Sequence, residues 1–379
     1  MSSLTSLWML FFVSMVCVII SKSRNIYNID ENGREVCIFK DKFFFYIATI
    51  IMSLFIGLRL WCNDTGTYRE TYDYFTSATG PILDGISWKI GDSPAFAILN
   101  TILKHIGFSS QSFLMFYAVI TVALYMWFLH KYSSDFAMSV FLLWTMGVYL
   151  FAAAGMRQAV AIAIGLLGID AFFQRKYIAF VLWIAFAALF HPYVLLFLLT
   201  PIMTYSPWTS KTAWMFGIFS LMGVTLQSLV GFLLSITTMM GKNYDSAAFS
   251  GEGVNVFRLL VVWAPILLSF LIRELMKESS DICNNLFMNF SMLNASIMFV
   301  ALFGTANYFA RLANYFLIFQ TMSLPWMIEF FDYENKKLLN VTIVICYLLY
   351  FVFAYMILTP FNSYFAKMTI AEYMSSIFK

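Results

Sequence analysis

Charge is what this chain of 379 residues has least of: Asp, Glu, Lys and Arg together make up 11% of it. A water-soluble domain carries about a quarter of its residues charged, so an ordinary solvated surface is excluded. Histidine is scarce too, with three in the whole chain. The five cysteines, Cys17, Cys37, Cys62, Cys283 and Cys346, form no CxxC pair and have no histidine close by. That argues against a metal site and against a disulfide framework. The net charge of +3 is scattered and builds no basic stripe, so nucleic acid is not an expected partner. Neither an internal repeat nor a low-complexity tract is visible.

What the chain has instead is apolar length. Hydrophobic residues make up 61% and aromatics 19%, with a mean hydropathy of +0.79. Uncharged runs of roughly 17 to 25 residues recur, each able to cross a hydrocarbon layer of about 30 Å. Spans are expected near residues 4–21, 42–60, 111–129, 136–153, 157–173, 213–239, 257–273, 285–303, 309–329 and 338–358. The first run lacks a basic leader and a small-residue cleavage site, and so reads as a span, not a signal peptide. The stretch from Tyr177 to Tyr205 is interrupted at His191-Pro192, where the proline removes a backbone donor and disfavours helix in the residue before it. Read as two short spans, it brings the total to about twelve. The expected fold class is all-α: a polytopic transmembrane helical bundle in one domain over 1–358, with a short exterior tail at 359–379.

Lys22, Arg24, Arg34, Lys40 and Lys42 crowd the first loop, which the positive-inside rule places in the cytoplasm. Alternation with two crossings over 177–205 then keeps the short basic turns at Lys131, Arg175-Lys176, Lys211, Arg273 to Lys277 and Lys336-Lys337 inside. Two longer loops fall outside, at about 61–110 and 241–255, the second carrying Asp245 and Glu252. Within the first, Ser93 is placed to cap a helix with Pro94 at its first position. Ala95, Leu99, Ile102, Leu103 and Ile106 share one face of it, opposite Asn100 and Lys104. That is the pattern of an amphipathic helix lying in the outer interface.

The same alternation puts Arg59, Arg157, Arg258 and Arg311 at exterior span ends and His191 at the exterior turn of the broken pair. An arginine in a span costs roughly 2.5 to 3.5 kcal/mol on insertion scales. Any one of them has an ordinary explanation in snorkelling to head groups; four on the less basic face call for an anionic partner. The planar guanidinium fork matches phosphate oxygens. Arg157 follows the small residues Ala152 to Gly155 and precedes Gln158, a second donor. His191 reads either as a helix-breaking polar residue or as a base. Asp64 reads either as a turn residue or as a carboxylate that takes a proton or holds a sugar hydroxyl. Tyr68, Tyr72, Tyr74 and Phe75, with Glu70 and Asp73, read as an interfacial aromatic belt or a sugar-stacking surface. Asp170 lies near the cytoplasmic end of its span, beside Arg175.

Residues 154–201, AGMRQAVAIAIGLLGIDAFFQRKYIAFVLWIAFAALFHPYVLLFLLTP, resemble the signature of the EpsG/Wzy family of polysaccharide repeat-unit polymerases: an Arg-Gln helix start, a basic turn, and Phe-His ending the next span. FIGLRLWCNDTGTY at 55–68 resembles the family's motif after its second span, with Arg59 to Asp64 one residue shorter and Cys62 or Asn63 where glycine is usual. ARLANYF at 310–316 resembles its late Arg-x-x-x-Tyr-Phe, while 206–300 match in hydropathy alone.

The resemblance implies a bacterial inner-membrane glycosyltransferase acting at the periplasmic face. It would transfer a growing O-antigen, capsule or exopolysaccharide chain from undecaprenyl diphosphate to a second lipid-linked unit. Donor and acceptor glycolipids are then the partners, with a chain-length regulator as a further candidate. On this reading Arg157 and Arg311 hold the diphosphate, Arg59 and Gln158 support them, and His191 or Asp64 is the base; Arg258, in the stretch that matches in hydropathy alone, is a further diphosphate-binding candidate from its place at an exterior span end. Tyr68, Tyr72 and Glu252 line the sugar site. No cofactor and no metal are expected. An O-antigen ligase would differ only in acceptor. A lipid-linked oligosaccharide flippase would favour paired repeats and midplane charges, and an acyltransferase would not need the arginines.

Overall fold

In hydrocarbon, backbone groups left unpaired are costly, so apolar runs of this kind persist as helices that satisfy themselves. A computed structural model describes residues 3–29, 35–224, 234–239, 253–303 and 306–377, and most of them are helical. Among the described residues, five helices are long and apolar enough to cross a membrane: Leu4–Ser23, Ser110–Tyr132, Met156–Phe173, Ile282–Phe303 and Tyr333–Leu358. A sixth is the pair α6–α7 below, bent by 49°. Four shorter apolar helices accompany them. The chain forms two units, one of Met1–Ile82, Asn100–Ala159 and Val352–Lys379, the other of Leu83–Leu99 and Val160–Phe351.

The first unit starts with α1 (Ser3–Ser23), an antiparallel hairpin of β1 (Ile26–Ile29) and β2 (Glu35–Phe39), and α2 (Phe43–Gly57). A short strand β3 (Arg59–Cys62) and helix α3 (Thr65–Glu70) follow. The expected second span is therefore cut short: α2 stops before Arg59, which lies in a strand. After α4 (Pro94–His105) come α5 (Ser110–Tyr132), α6 (Phe136–Thr145) and α7 (Val148–Ala154), then the start of α8 (Met156–Phe173). Helix α2 packs against α1, α5 and α7. Fully buried Trp144 meets Phe11 edge-on at 5.7 Å and Tyr149 at 4.1 Å. Buried phenols need partners: Tyr149 donates to Met52 O at 2.7 Å and Tyr125 to Ala159 O at 3.2 Å.

One end of this unit carries a cluster of charged contacts. There Lys22 pairs with Asp135 at 2.6 Å, Arg24 with Asp41 at 3.1 Å, and Lys40 Nζ donates to His130 O at 2.6 Å. The basic first loop and the Lys131 turn thus share an end, as the alternation requires.

Helix α4 forms where the sequence places it, but two of its expected details are corrected. Ser93 has φ +61° and its N–H closes onto Ile90 O, so its hydroxyl is not in capping geometry. The buried stripe is Phe96, Asn100 and Leu103, while Ile102 and Ile106 are exposed. Asn100 turns inward because its side-chain carbonyl accepts from the buried Tyr117 hydroxyl at 2.9 Å.

In the second unit α8 continues into α9 (Tyr177–Ala188), a 3-10 segment (Pro192–Leu199) and α10 (Thr200–Met203). The break falls at His191-Pro192 as the proline dictates, and α9 packs on the 3-10 segment. Gly165 of α8 permits the close approach of that segment, since a Cβ there would lie 2.8 Å from the Phe197 ring. Then follow α11 (Ser210–Val224), α12 (Val256–Leu271), α13 (Arg273–Lys277), α14 (Ile282–Phe303), α15 (Ala306–Ile328) and α16 (Tyr333–Val352). Helix α14 is the hub, touching α10, α11, α12 and α15. Its polar face serves backbone that the broken pair leaves open: Asn289 Nδ2 donates to Met203 O and Tyr205 O at 2.8 and 2.7 Å. Non-helical backbone at membrane depth persists where neighbours satisfy it this way.

The chain returns to the first unit through α17 (Phe361–Tyr364), β4 (Phe365–Lys367) and α18 (Ile370–Met374). Strand β4 lies antiparallel to β3, with Lys367 opposite Arg59 and Phe365 opposite Cys62. Residues 359–377 therefore fold onto this unit. These short strands depart from an all-α expectation because the segment after α2 is too polar to extend the helix and finds a pairing edge only in the distant tail.

Candidate functional site

In the first unit the turn from α2 into β3 carries Arg59, which has no solvent exposure. Its Nε donates to Thr65 Oγ1 at 3.1 Å, Nη1 to Ile56 O at 2.9 Å and Nη2 to Met156 Sδ at 3.3 Å. Thr65 in turn donates to Cys62 O at 2.6 Å. The guanidinium thus ties the end of α2 to the start of α3 and to the residue before Arg157. Burial pushes the Cys62 thiol up to about 11, against the pull of Arg59 and with the push of Asp64. At neutral pH it stays a thiol and is no nucleophile.

Arg157, on the first turn of α8, is half-buried with its guanidinium 5.9 Å from the centroid of the Tyr68 ring. Cation–π contact engages the plane of the fork; its N–H edge is what recognises phosphate. Gln158 beside it is buried. Asp64 is half-buried at the cap position of α3, with no side-chain cap bond. Tyr72 is enclosed: its ring stacks on Phe113 at 4.5 Å, Lys104 Nζ lies 4.9 Å from its centroid, and its hydroxyl donates to Phe108 O at 2.9 Å. Those contacts give it a packing role. Tyr74, in contrast, is 82% exposed.

Sequence reasoning missed Arg69 and Gln111. Arg69 Nη2 donates to Gln111 Oε1, and Gln111 Nε2 donates to Gly57 O at 2.6 Å and Arg59 O at 3.2 Å. Burial lowers the Arg69 guanidinium from its ordinary value, opposed by Asp73. Its Nε is buried with no hydrogen-bond partner. The available signal was Gln111 itself, a carboxamide in the first turn of a span.

In the second unit the segment 310–316 collects the rest. The Tyr315 hydroxyl hydrogen-bonds His191 Nδ1, and Arg258 Nη2 donates to Asn314 Oδ1 at 3.1 Å. Arg311, exposed, lies one helical turn before Tyr315 on the same face. Tyr308, three residues earlier, meets Tyr193 with the two hydroxyls 3.4 Å apart and the rings edge-on. Tyr308 and Tyr315 were not singled out from the sequence, although 308, 311 and 315 already share a helical face. Asp170 accepts from Gln174 Nε2 at 2.5 Å. Glu252, with Asp245 and the rest of 241–252, lies outside the described residues. Among the described residues no cluster of three His, Cys, Asp or Glu side chains is arranged to hold a metal ion.

A model of the EpsG family matches residues 42–373. The chain belongs to the EpsG family. No curated protein and no solved structure shows a significant match. With its apolar helices, EpsG membership makes this a multi-pass membrane protein of polysaccharide biosynthesis, polymerase-like in kind. The match covers all three stretches described above, and in this EpsG protein they meet in pairs. Arg59 and Tyr68 of the first touch Met156 and Arg157 of the second within one unit, and His191 of the second touches Tyr315 of the third within the other.

Proposed function

We propose that this protein joins undecaprenyl-diphosphate-linked oligosaccharide repeat units into a polysaccharide at the periplasmic face of the bacterial inner membrane. The observation that carries the proposal is this pairwise meeting of three distant stretches, each pair combining an arginine or histidine with a tyrosine. In the reaction an acceptor hydroxyl attacks the anomeric carbon of the donor glycan. The bond from that carbon to the diphosphate oxygen breaks, and its electron pair leaves with undecaprenyl diphosphate. The hydroxyl proton passes to a base.

Arg157, held against Tyr68, and Arg311 are the groups proposed for the diphosphate, whose charge grows as it departs. Gln158 and Arg258 support them, and Arg59 acts by positioning. His191 is the proposed base, and Asp64 the proposed holder of a sugar hydroxyl beside Tyr68. Catalysis is proposed to need no metal: chelation with EDTA is expected to leave activity unchanged, and loss that a divalent ion restores would refute this.

The proposal includes about twelve crossings. Counted as two crossings, α9 and the 3-10 segment that packs on it return the chain to the side it left, which preserves the alternation downstream. The exposed Ile102 and Ile106 of α4 are proposed to face the outer interface.

Single replacement of Arg157, His191 and Arg311 by alanine, followed by glycan length in cells, is the test. Loss of the long-chain ladder with lipid-linked single units still at the outer face is expected for each. A full ladder in all three would sink the reading, and absence of lipid-linked sugar from the outer face would favour a transporter.

A further inference from the structure

We infer that Tyr315 is a positioning residue for His191: its hydroxyl accepts a hydrogen bond from Nδ1–H, fixes the tautomer and makes Nε2 the basic nitrogen of the ring. The inference rests on the proposed role of His191 as base and adds how that base is made.

His191 stands where the chain is neither helix nor strand. Its backbone (φ −156°, ψ 120°) heads the 3-10 segment without a side-chain cap bond, and neighbouring rings flank the imidazole. Tyr193 lies 5.5 Å away by centroid and Tyr315 5.8 Å, and the Tyr315 hydroxyl reaches Nδ1. Tyr315 is fully buried, with Phe197 edge-on at 6.3 Å. A phenol hydroxyl can accept as well as donate, and this one lies within hydrogen-bonding reach of the ring nitrogen.

A neutral imidazole has one N–H and one lone pair, and the bond at one nitrogen decides which is which. If the phenol oxygen accepts from Nδ1–H, the lone pair is on Nε2. Protonation of Nε2 then keeps the Nδ1–H bond and strengthens it, because a charged donor makes the stronger bond. If the phenol donated to Nδ1 instead, Nε2 would carry the proton and could not accept another. Only the first arrangement serves a base. A carboxylate would orient the ring as well, but in this apolar wall its desolvation would be costly, whereas a phenol orients without charge. Tyr315 follows Arg311 by one helical turn, so the residue that sets the base and an arginine proposed for the diphosphate share a face of α15.

The experiment uses the full chain in lipid nanodiscs with 15N-labelled histidine. Only His105, His130 and His191 contribute signals, and His191→Asn assigns its pair. The expected spectrum shows His191 with Nδ1 protonated and Nε2 bare, collapsing to a tautomer average in Tyr315→Phe. Turnover of Tyr315→Phe is expected to fall about 10- to 100-fold, as when hydrogen-bond partners that orient a histidine are removed, with KM for the lipid-linked unit unchanged. The variant differs by one oxygen, and its folding is checked by its elution as a single species in detergent. A protonated Nε2 in the parent, or an unchanged spectrum in Tyr315→Phe, overturns the inference. A His191→Ala variant that still builds long chains defeats the base assignment instead, and glycan length shows that independently of the nitrogen spectrum.

Discussion

Arg59→Ala is expected to give a protein that melts early in detergent and builds no long glycan. The side chain is large and fully enclosed, so truncation leaves a cavity as well as removing three hydrogen bonds from a charged donor. Core truncations cost about 2–5 kcal/mol and a lost bond to a charged group about 1.5–3 kcal/mol. These overlap, since the cavity is where the bonds were, and a loss on the order of 3 kcal/mol is expected. Arg59→Lys should not rescue it, because one ammonium does not reproduce a planar fork that reaches Thr65, Ile56 and Met156 together. Arg59→Met separates packing from positioning. It fills the volume without a buried charge and should recover much of the melting temperature, while Thr65, which loses its bond to the guanidinium, still leaves Tyr68 and Arg157 misplaced. Melting is followed by tryptophan fluorescence and chain length by gel. An Arg59→Met protein with a full-length ladder would show that the guanidinium is only filler.

Arg157→Ala is expected to behave in the opposite way, losing the ladder but keeping the fold, because that residue is half-buried and rests on a ring. The two arginines looked alike as letters, each at an apolar span's exterior end. What distinguishes them is the short strand pair β3–β4, formed with residues more than 300 positions away. A period-based reading does not reach such a pairing, since neither strand is long enough to alternate. The helices were legible because membrane spans announce themselves by length and hydropathy, and the break at His191-Pro192 because proline acts locally. The partner of His191 was half legible: Tyr315 lay in a recognised segment, but contact between residues 124 apart is a property of packing. Asn100 shifted the buried face of α4 for a similar reason. An amide that meets a buried hydroxyl belongs inside, and periodicity sorts residues only by polarity.

Gly147→Ala is expected to destabilise the first unit and slow the proposed polymerisation together. Gly147 joins α6 to α7 at the 49° bend, with φ +79°, a conformation that costs a residue with a Cβ about 1–2 kcal/mol. An added Cβ would also collide with the Tyr355 hydroxyl. The two penalties separate by double substitution. Tyr355→Phe removes the hydroxyl, so Gly147→Ala with Tyr355→Phe should regain the steric part and keep the conformational part. Full recovery would mean that φ carries no cost, and no recovery that the phenol was never in the way. The consequence for function follows the chain: α7 leads through Ala152, Ala153, Ala154 and Gly155 directly to Arg157. A few degrees of change at the bend therefore displace the guanidinium. Turnover is expected to fall more than affinity for the lipid-linked unit, because a displaced cation still attracts the diphosphate but meets its departing oxygen poorly.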